Sequence, residues 1–347
     1  MVVAALALVA GACSDALEEK SSAGQVVGVV NASDRTLSLV SATDFVVSTR
    51  DWQSASATPS TIDGRGNAFL VPLGQADAVG VSRLVTCPPG ALALCVQTDY
   101  VLPLPAGSGA TGVAIQDDSI AWVANPDLNT VTRINYLTGN TASRPVGTYP
   151  DAVAIVAGRV FVVNGNLVGS TPAGPSWLTA FDCCGPGGLD SIPLTGSNAR
   201  FAVVGDDSLL YVVASGAPTR GDGKLSIVDP KGRVEVAVLN GLGESPGAAA
   251  FHPAGGRLLV ASLTEDLLEV NTLVRAVTRG PGDGVKPGGH GVSGLAIDLR
   301  GRVYAVDPGT CATPGTVHVL TPPPDYREIH TVTVGVCPAT AGIAATP

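Results

Sequence analysis

The sequence predicts an all-β protein made of one repeated unit, and composition is the first reason. The 347 residues include 43 glycines and 26 prolines, about a fifth of the chain, whereas an average protein contains roughly 12% of the two together. Charged residues make up only 14%, so long helices with solvated charged faces are not expected. The 45% of hydrophobic residues is enough for a core and excludes a disordered chain.

A repeat is the second reason. Its clearest copy spans residues 112–139 and has the pattern strand, tight turn, strand, loop, strand and turn; it recurs at residues 152–164 and 295–307. A small residue of the first strand marks each copy, at Thr61, Ala114, Ala154, Ala202, Ala250, Ala296 and Ala344. Four short strands in units of about 40–50 residues are typical of a β-propeller, in which blades surround a central channel.

The two ends of the chain predict seven blades and the way the ring closes. The chain begins with three strands, at residues 26–30, 36–40 and 46–49, that have no first strand before them. It ends with a first strand, at residues 340–345, that has no partner strands after it. We therefore expect the C-terminal strand to be the innermost strand of blade one. Such closure removes exposed sheet edges.

The best-preserved repeat resembles a known family. Its segments Trp122-Val-Ala-Asn125, Asn129-Thr130-Val and Thr138-Gly139 are similar to the YVTN repeat of seven-bladed propellers in surface-layer and secreted bacterial proteins. Residues 295–307 resemble an NHL repeat. The resemblance covers about residues 25–346 and implies the fold, whereas no activity follows from it, because propellers carry unrelated functions.

The N-terminus predicts export. Residues 1–12 are apolar and precede Cys13; they are shorter than the ~20 residues that span a bilayer and have the character of a signal segment. Residues 8–13 resemble a bacterial lipoprotein signal, which implies that Cys13 is lipidated, and the alternative is an ordinary secretory signal. We therefore expect a signal at residues 1–12, a flexible tether at 13–24 and a propeller at 25–347.

The same resemblance implies a location. Ser14, rather than Asp, follows Cys13, which by the enterobacterial sorting rule favours the outer membrane of the bacterial cell envelope. The lipid would be the only membrane contact, and we expect a monomer.

Six cysteines remain after Cys13, and disulfides are permitted in an exported chain. A disulfide between Cys87 and Cys95 could close a hairpin loop. Cys183 and Cys184 are adjacent, and the sequence does not decide whether they are free thiols or disulfide-bonded. Cys311, after the second strand of blade seven, and Cys337, just before the closing strand, are expected on the same face and within bonding distance. The alternative is that each is a small buried residue or pairs elsewhere.

Candidate binding residues lie on the face that carries two kinds of loop, those joining second to third strands and those joining consecutive blades. Loops on a rigid scaffold are common binding sites, and residues 165–176 and 215–223 form longer loops than the rest. The alternative is that polar residues here only cap turns. The candidates are Asn125, Asp127, Asn129, Asn164, Asn166, Arg220, Asp222, Glu265, Asp266, His290 and Asp307.

Two functions of different classes remain open. The first is binding or scaffolding of an envelope protein or glycan on this face. The second is a metal-dependent lactonase- or lyase-like enzyme at the channel mouth, which the NHL resemblance implies, because the related lactonase and lyase propellers use the axial region for metals. Asn and Asp oxygens suit Ca²⁺ or Mg²⁺. His290 is the only histidine expected at the mouth, and one histidine without a nucleophile gives no catalytic triad. The net charge of −9 without a basic stripe disfavours nucleic acid.

Overall fold

Seven four-stranded antiparallel sheets follow one another around a central channel in the computed structural model, which describes residues 24–52, 54–86, 94–183 and 187–347. The protein is therefore a seven-bladed β-propeller, as predicted. Apart from one turn of 3-10 helix at Pro126–Leu128, the regular structure of these ranges is β. None of the described residues forms a helix long and apolar enough to cross a membrane.

The strands are numbered in chain order through the described residues. Blades one to three contain β1 Gln25–Asn31, β2 Thr36–Ser41 and β3 Val47–Asp51; β4 Asp63–Arg65, β5 Ala68–Pro72, β6 Ala78–Leu84 and β7 Val96–Pro103; β8 Val113–Ile115, β9 Ile120–Asn125, β10 Thr130–Asn135 and β11 Thr141–Pro145. Blade four contains β12 Pro150–Val156, β13 Arg159–Asn164, β16 Pro175–Asp182 and β17 Asp190–Ser197, with the hairpin β14 Leu167–Val168 and β15 Thr171–Pro172 inserted.

Blades five to seven contain the remaining strands, and the last strand returns to blade one. They are β18 Ala199–Val204, β19 Leu210–Ala214, β20 Lys224–Asp229 and β21 Val234–Asn240; β22 Pro246–Phe251, β23 Arg257–Ser262, β24 Asp266–Asn271 and β25 Ala276–Arg279; β26 Gly294–Ile297, β27 Val303–Asp307, β28 Pro314–Leu320 and β29 Glu328–Val336; and β30 Pro338–Ala345.

The ring closes as predicted. β30 pairs antiparallel with β1, so that Val26 lies opposite Ala344 and Gly28 opposite Gly342, and the first sheet has the order β3-β2-β1-β30. Six of the seven small residues used to count the blades lie in innermost strands. Thr61 does not, because it lies two residues before the short strand β4.

The core is distributed between the blades. Second strands such as β5, β13 and β19 are buried at almost every residue, because both faces of each sheet pack on a neighbouring blade. Phe161 and Leu178 of blade four, for example, share a cluster with Leu210 and Val212 of blade five. The outer strand β17 instead alternates between buried and exposed residues, as expected for a half-solvated strand.

The two kinds of loop named above lie on one face, which we call the top face. Asp77, before β6, accepts hydrogen bonds from the backbone N–H groups of Gly107 and Gly109, in the connection that leads to blade three. Asn129, before β10, likewise accepts a bond from the N–H of Tyr149, which precedes blade four. The predicted placement of these loops is therefore confirmed.

Candidate functional site

The axial channel is narrow and mainly apolar. It encloses about 520 Å³ and is lined by the innermost strands of all seven blades. Small residues such as Ala154, Ala202 and Ala250 form part of the wall, beside larger apolar residues such as Phe201 and Leu295. The charged residues of the lining are Asp63, Arg65, Asp151 and Arg200, and they lie at the two ends of the channel.

An ion pair lies at the top end. Asp151 and Arg200 are the second residues of β12 and β18. The Asp151 carboxylate is only 4% exposed and accepts a hydrogen bond from Arg200 Nε at 2.8 Å, while the Arg200 side chain is 46% exposed. The adjacent Asp151 carboxylate raises the pKa of Arg200 above its ordinary value. Arg200 is therefore a cation with one side fixed to the protein and the rest accessible.

Gly247 occupies the equivalent position of the next blade, as the second residue of β22. A Cβ built there would have as its nearest neighbours the Ala261 carbonyl oxygen at 3.5 Å and the Phe201 ring at 3.7 Å. The Asp151–Arg200 ion pair joins blades four and five, but Gly247 has no side chain with which blade six could contact Arg200. A space is therefore left beside Arg200.

This space belongs to a second cavity, which we call the mouth cavity, of about 460 Å³ on the top face. The two long loops contribute to its rim, and Arg200 and Phe201 line both the mouth cavity and the channel. The lining residues are Tyr149, Leu167, Gly169, Ser170, Asn198, Arg200, Phe201, Ser215, Pro218, Ser245, Pro246, Gly247, Ala261, Ser262, Leu263, Val292 and Ser293.

The mouth cavity combines apolar surface with a few polar groups. Tyr149 lies near Arg200 and Asp151; burial, and then the Asp151 charge, raise the pKa of its hydroxyl, which stays protonated at neutral pH. Asn198 is 9% exposed, and its Nδ2 donates a hydrogen bond to the Gly216 carbonyl at 3.0 Å. Its Oδ1 is buried and has no hydrogen-bond partner among the described residues.

The bottom end of the channel is closed by bonds within the protein. Asp63 accepts a hydrogen bond from the N–H of Ile115 at 2.7 Å, and Arg65 Nη1 donates to the Ile115 carbonyl at 3.2 Å. Burial raises the pKa of Asp63 in spite of these bonds. Both charged side chains are thus committed to the backbone of the next blade.

Two of the predicted binding residues act inside the fold instead. Asn125 and Asn164 end second strands and are fully buried. Asn125 Nδ2 donates to the hydroxyls of Thr130 and Thr132, and Asn164 Nδ2 donates to that of Thr179. Each asparagine therefore joins its second strand to the third, and buried Asn31 of blade one does the same.

Other predicted residues fix loops on the top face. Asn166 Nδ2 donates to the Pro175 carbonyl at the base of the β14–β15 hairpin, and Asp222 Oδ1 accepts from the N–H of Ala217 in its own loop. Asn129 bonds the next connection, as described above. Asp127 and Arg220 are exposed.

The remaining candidates gather around blades six and seven. Asp307 accepts hydrogen bonds from the N–H groups of Gly309 and Gly289, and His290 Nδ1 lies 3.2 Å from its Oδ1. Burial raises the pKa of Asp307, but these bonds together lower it further than burial raises it. Asp266 lies 3.8 Å from Lys286 and has a pKa raised by burial, with Glu265 and Asp307 acting in the same direction.

His318, which lies within strand β28 as expected, also reaches this group. Its Nε2 lies 4.0 Å from Asp307 Oδ2, and its Nδ1 lies 2.7 Å from Glu328. The signal was in the sequence, since His318 is two residues from Thr316, which pairs with Asp307 across the sheet. His252 and His330 lie where expected, in the β22–β23 hairpin and in β29.

None of the eleven predicted residues lines the mouth cavity. The sequence placed both long loops on the face that carries the mouth cavity, but it did not select Tyr149, Asn198 and Arg200. Asp151, Arg200 and Gly247 are the second residues of innermost strands in three consecutive blades. The small residues that mark the repeat hide this equivalence, because Asp151 and Gly247 lie three residues before their markers and Arg200 lies two residues before its own.

The disulfide between Cys311 and Cys337 is present, with the Cα atoms 4.2 Å apart, and it joins the two loops that were expected to meet. Cys95 is also disulfide-bonded. Cys13, Cys87 and Cys184 lie outside the described residues, as do residues 1–23, so the predicted signal, the tether up to residue 23 and the pairing of Cys87 stay predictions. Cys183 packs against the cluster that contains Trp122 and Phe181.

Within the described ranges, no group of three or more His, Cys, Asp or Glu side chains is arranged to hold a metal ion. Among these residues, no such cluster supports the expected Ca²⁺ or Mg²⁺ at the axial face, and the metal stays a prediction.

Comparison with known proteins supports the fold alone. No protein-family profile matches the chain, and no curated protein matches it; the YVTN resemblance therefore stays a prediction. A functionally unknown protein from Desulfotomaculum acetoxidans has 12% identity and a TM-score of 0.65, with 93% of this chain and 99% of that chain covered. Apo AztD from Citrobacter koseri has 12% identity and a TM-score of 0.61, with 92% and 97% covered. A streptogramin B lyase has 10% identity and a TM-score of 0.61, with 81% and 86% covered.

Proposed function

We propose that this propeller is an exported binding protein of the bacterial cell envelope and that the mouth cavity is its ligand site. The observation that carries the proposal is that the two long loops, around residues 165–176 and 215–223, both contribute to one cavity at the end of the channel. A cavity of about 460 Å³ falls within the ~300–1,000 Å³ of small-molecule sites. Such sites are mostly apolar and contain a few placed polar groups, as here.

The scaffold suits binding because paired strands form a rigid support beneath the two long loops. The lining residues Arg200 and Gly247 lie at register shifts near the start of innermost strands, and these strands pair with the largely buried second strands β19 and β23. A site supported in this way loses little conformational entropy on binding. The likeness to the lyase is one of fold at 10% identity, and no described residue adds a reason to transfer its activity.

A ligand that binds the folded state raises the free energy of unfolding by mass action, by about 2.7 kcal/mol at a ligand concentration 100 times Kd. The unfolding midpoint rises as a consequence. We expect at least one class of small molecule in a screen of sugars, lactones, organic acids and short peptides to stabilise the wild type. Gly247→Leu and Ser170→Trp place bulk in the cavity from two separate elements. Both variants should fold and lose that stabilisation.

A matched control is Gly188→Leu, because Gly188 is exposed in the β16–β17 connection, outside the cavity lining. Among the described residues, an added Cβ has nothing within 4 Å there, and Gly188, like Gly247, has no positive φ that would strain a leucine. Stabilisation that persists in both cavity-filling variants, or a screen in which no class stabilises the wild type, would contradict the proposal.

We further propose that Cys13 carries the lipid that anchors the protein to the outer membrane. The support is the apolar segment before Cys13 and the polar residues after it. Cells expressing the chain with its native start are labelled with a radioactive fatty acid. The wild type should be labelled and Cys13→Ser should not, whereas an unlabelled, soluble wild type would contradict lipidation.

A further inference from the structure

The mouth cavity presents a cation whose Nη groups are not used by the protein. Within the described residues, the bond from Nε to Asp151 is the one hydrogen bond that Arg200 makes. The side chain is about half exposed, and it lines the cavity. The Nη groups of an arginine held in this way match the two oxygens of a carboxylate, which the planar guanidinium binds with two parallel hydrogen bonds.

A hydrogen-bond acceptor lies two residues before this cation. Asn198 Oδ1 is buried in the lining of the same cavity and has no partner among the described residues. A buried acceptor without a partner costs free energy, which a donor on the ligand would recover. A ligand with a carboxylate and a nearby N–H group would satisfy both groups.

The rest of the lining is suited to an apolar side chain. Leu167, Pro218, Leu263 and Val292 line the same cavity. Leu167 and Val292 are already buried, whereas Pro218 is exposed and Leu263 is 52% exposed. Contact with an apolar ligand group would remove the surface of Pro218 and Leu263 from water. A purely hydrophilic ligand such as a sugar would leave it exposed.

We infer that the mouth cavity binds an apolar residue carrying a free carboxylate and an amide N–H, as an N-acyl amino acid or the C-terminal residue of a peptide does. This inference rests on the proposed function and adds the class of ligand. Arg200 holds the carboxylate, Asn198 Oδ1 accepts the N–H, and Asp151 keeps the Arg200 side chain in place.

The probe is N-acetyl-L-leucine, with its carboxamide as the matched neutral compound, and binding is measured by calorimetric titration of the full chain. We expect the acid to bind with a Kd below about 10 mM and the carboxamide to bind about tenfold or more weakly, since each factor of ten is 1.4 kcal/mol. The N-methylated acid, which lacks the N–H, should bind about fivefold or more weakly.

Arg200→Gln alone would leave Asp151 as a buried carboxylate without its cation, so the double variant D151N/R200Q is the test variant. It should keep the fold and lose affinity for the acid about tenfold or more. Arg233→Gln is the control, because Arg233 is 53% exposed and pairs with Asp190 outside the cavity. A tetrapeptide ending in leucine that binds tighter than N-acetyl-L-leucine identifies a peptide end, and equal affinity identifies the free acid.

The outcomes separate this inference from the proposed function. If the acid fails to bind, if its carboxamide binds equally well, or if D151N/R200Q binds like the wild type, the inference is overturned. If sugars or lactones still stabilise the wild type but not Gly247→Leu, the cavity remains the ligand site and only its ligand class is wrong.

Discussion

The two sides of the top face are held in different ways. In blades seven and two, which we call the clamped side, a loop is fixed to the connection that leads to the following blade: Cys311 to Cys337 by a disulfide, and the Asp77 carboxylate to the N–H groups of Gly107 and Gly109 by hydrogen bonds. In blades four and five, the side-chain link from each long loop to the next blade is a serine hydroxyl: Ser176 accepts from the N–H of Ala199, and Ser215 donates to the Pro246 carbonyl. Asp222 bonds within its own loop, to the N–H of Ala217.

The difference has a consequence for the cavity. A disulfide or a charged carboxylate holds the boundary between two blades more strongly than a neutral hydroxyl does. The mouth cavity lies on the side with the serine links, where Gly247 has no side chain to fill it. We therefore expect changes on the clamped side to alter stability without altering binding.

The largest effect is expected from the disulfide. Cys311 and Cys337 are separated by 26 residues, for which the chain-entropy relation gives roughly 3 kcal/mol. The double variant C311S/C337S should lose about this much free energy of unfolding in urea titrations. Its affinity for N-acetyl-L-leucine should equal that of the wild type, because both loops lie outside the cavity.

A reducing agent provides the control. It should lower the unfolding midpoint of the wild type by more than that of C311S/C337S, because the variant no longer contains this bond. Equal unfolding free energies of the oxidised wild type and the variant would contradict a stabilising role for the clamp.

A smaller effect is expected at Asp77, whose carboxylate is the acceptor between blades two and three. Asp77→Asn keeps a side chain that tolerates the φ of +48° at this position but removes the charge. Bonds to charged groups contribute about 1.5–3 kcal/mol and neutral ones about 0.5–1.5, so a loss of about 1–2 kcal/mol is expected. Asp118→Asn, an exposed residue of the β8–β9 hairpin, should change little.

The same position gives a pH dependence. Burial raises the pKa of Asp77, but the N–H groups of Gly107 and Gly109 and the Ser108 hydroxyl lower it further, so that its pKa lies below 3.8. The stability that it contributes is therefore complete above the unfolded-state pKa of about 3.9 and is lost as the pH falls through the folded-state value. Unfolding free energies measured from about pH 5 to 2 should fall less steeply in Asp77→Asn; identical slopes would contradict this.

The fold was predictable because its signals repeat. A small residue marks six of the seven innermost strands, and Thr61 lies just before the seventh. The unpaired first strand at the C-terminus and the two cysteines next to predicted loops each predict one further feature. The β30–β1 pairing and the disulfide confirm these two features. Buried Asn125 could also have been interpreted correctly, because Thr130 and Thr132 follow at spacings that place their hydroxyls beside its amide.

The site was less predictable because it depends on contacts between blades. Arg200 in isolation is a charged residue near a strand start, and its role follows only when Asp151 is placed on one side and Gly247 on the other. Polar residues in turns are conspicuous in a sequence, yet most of those on the top face are already bonded. The residues that remain available, Arg200 and Asn198 Oδ1, lie where strands begin.

The smallest effect on stability, and the sharpest contrast, is expected from a pair of variants that each remove one acceptor for a backbone N–H. Asp34→Ala removes the bond to the N–H of Val336, beside Cys337 on the clamped side, and Asp222→Ala removes the bond to Ala217. Each should cost about 1 kcal/mol or less.

Only Asp222→Ala should also weaken binding, because the loop of Asp222 carries Ser215 and Pro218 into the cavity wall. Loss of the internal bond lets this loop sample more conformations, and the ordering cost is then met on binding. We expect about a three- to tenfold higher Kd for N-acetyl-L-leucine, equivalent to about 0.6–1.4 kcal/mol, against no change in Asp34→Ala. Equal affinities in the two variants would mean that the loop of Asp222 does not shape the site, and the contrast between the two sides would then concern stability alone.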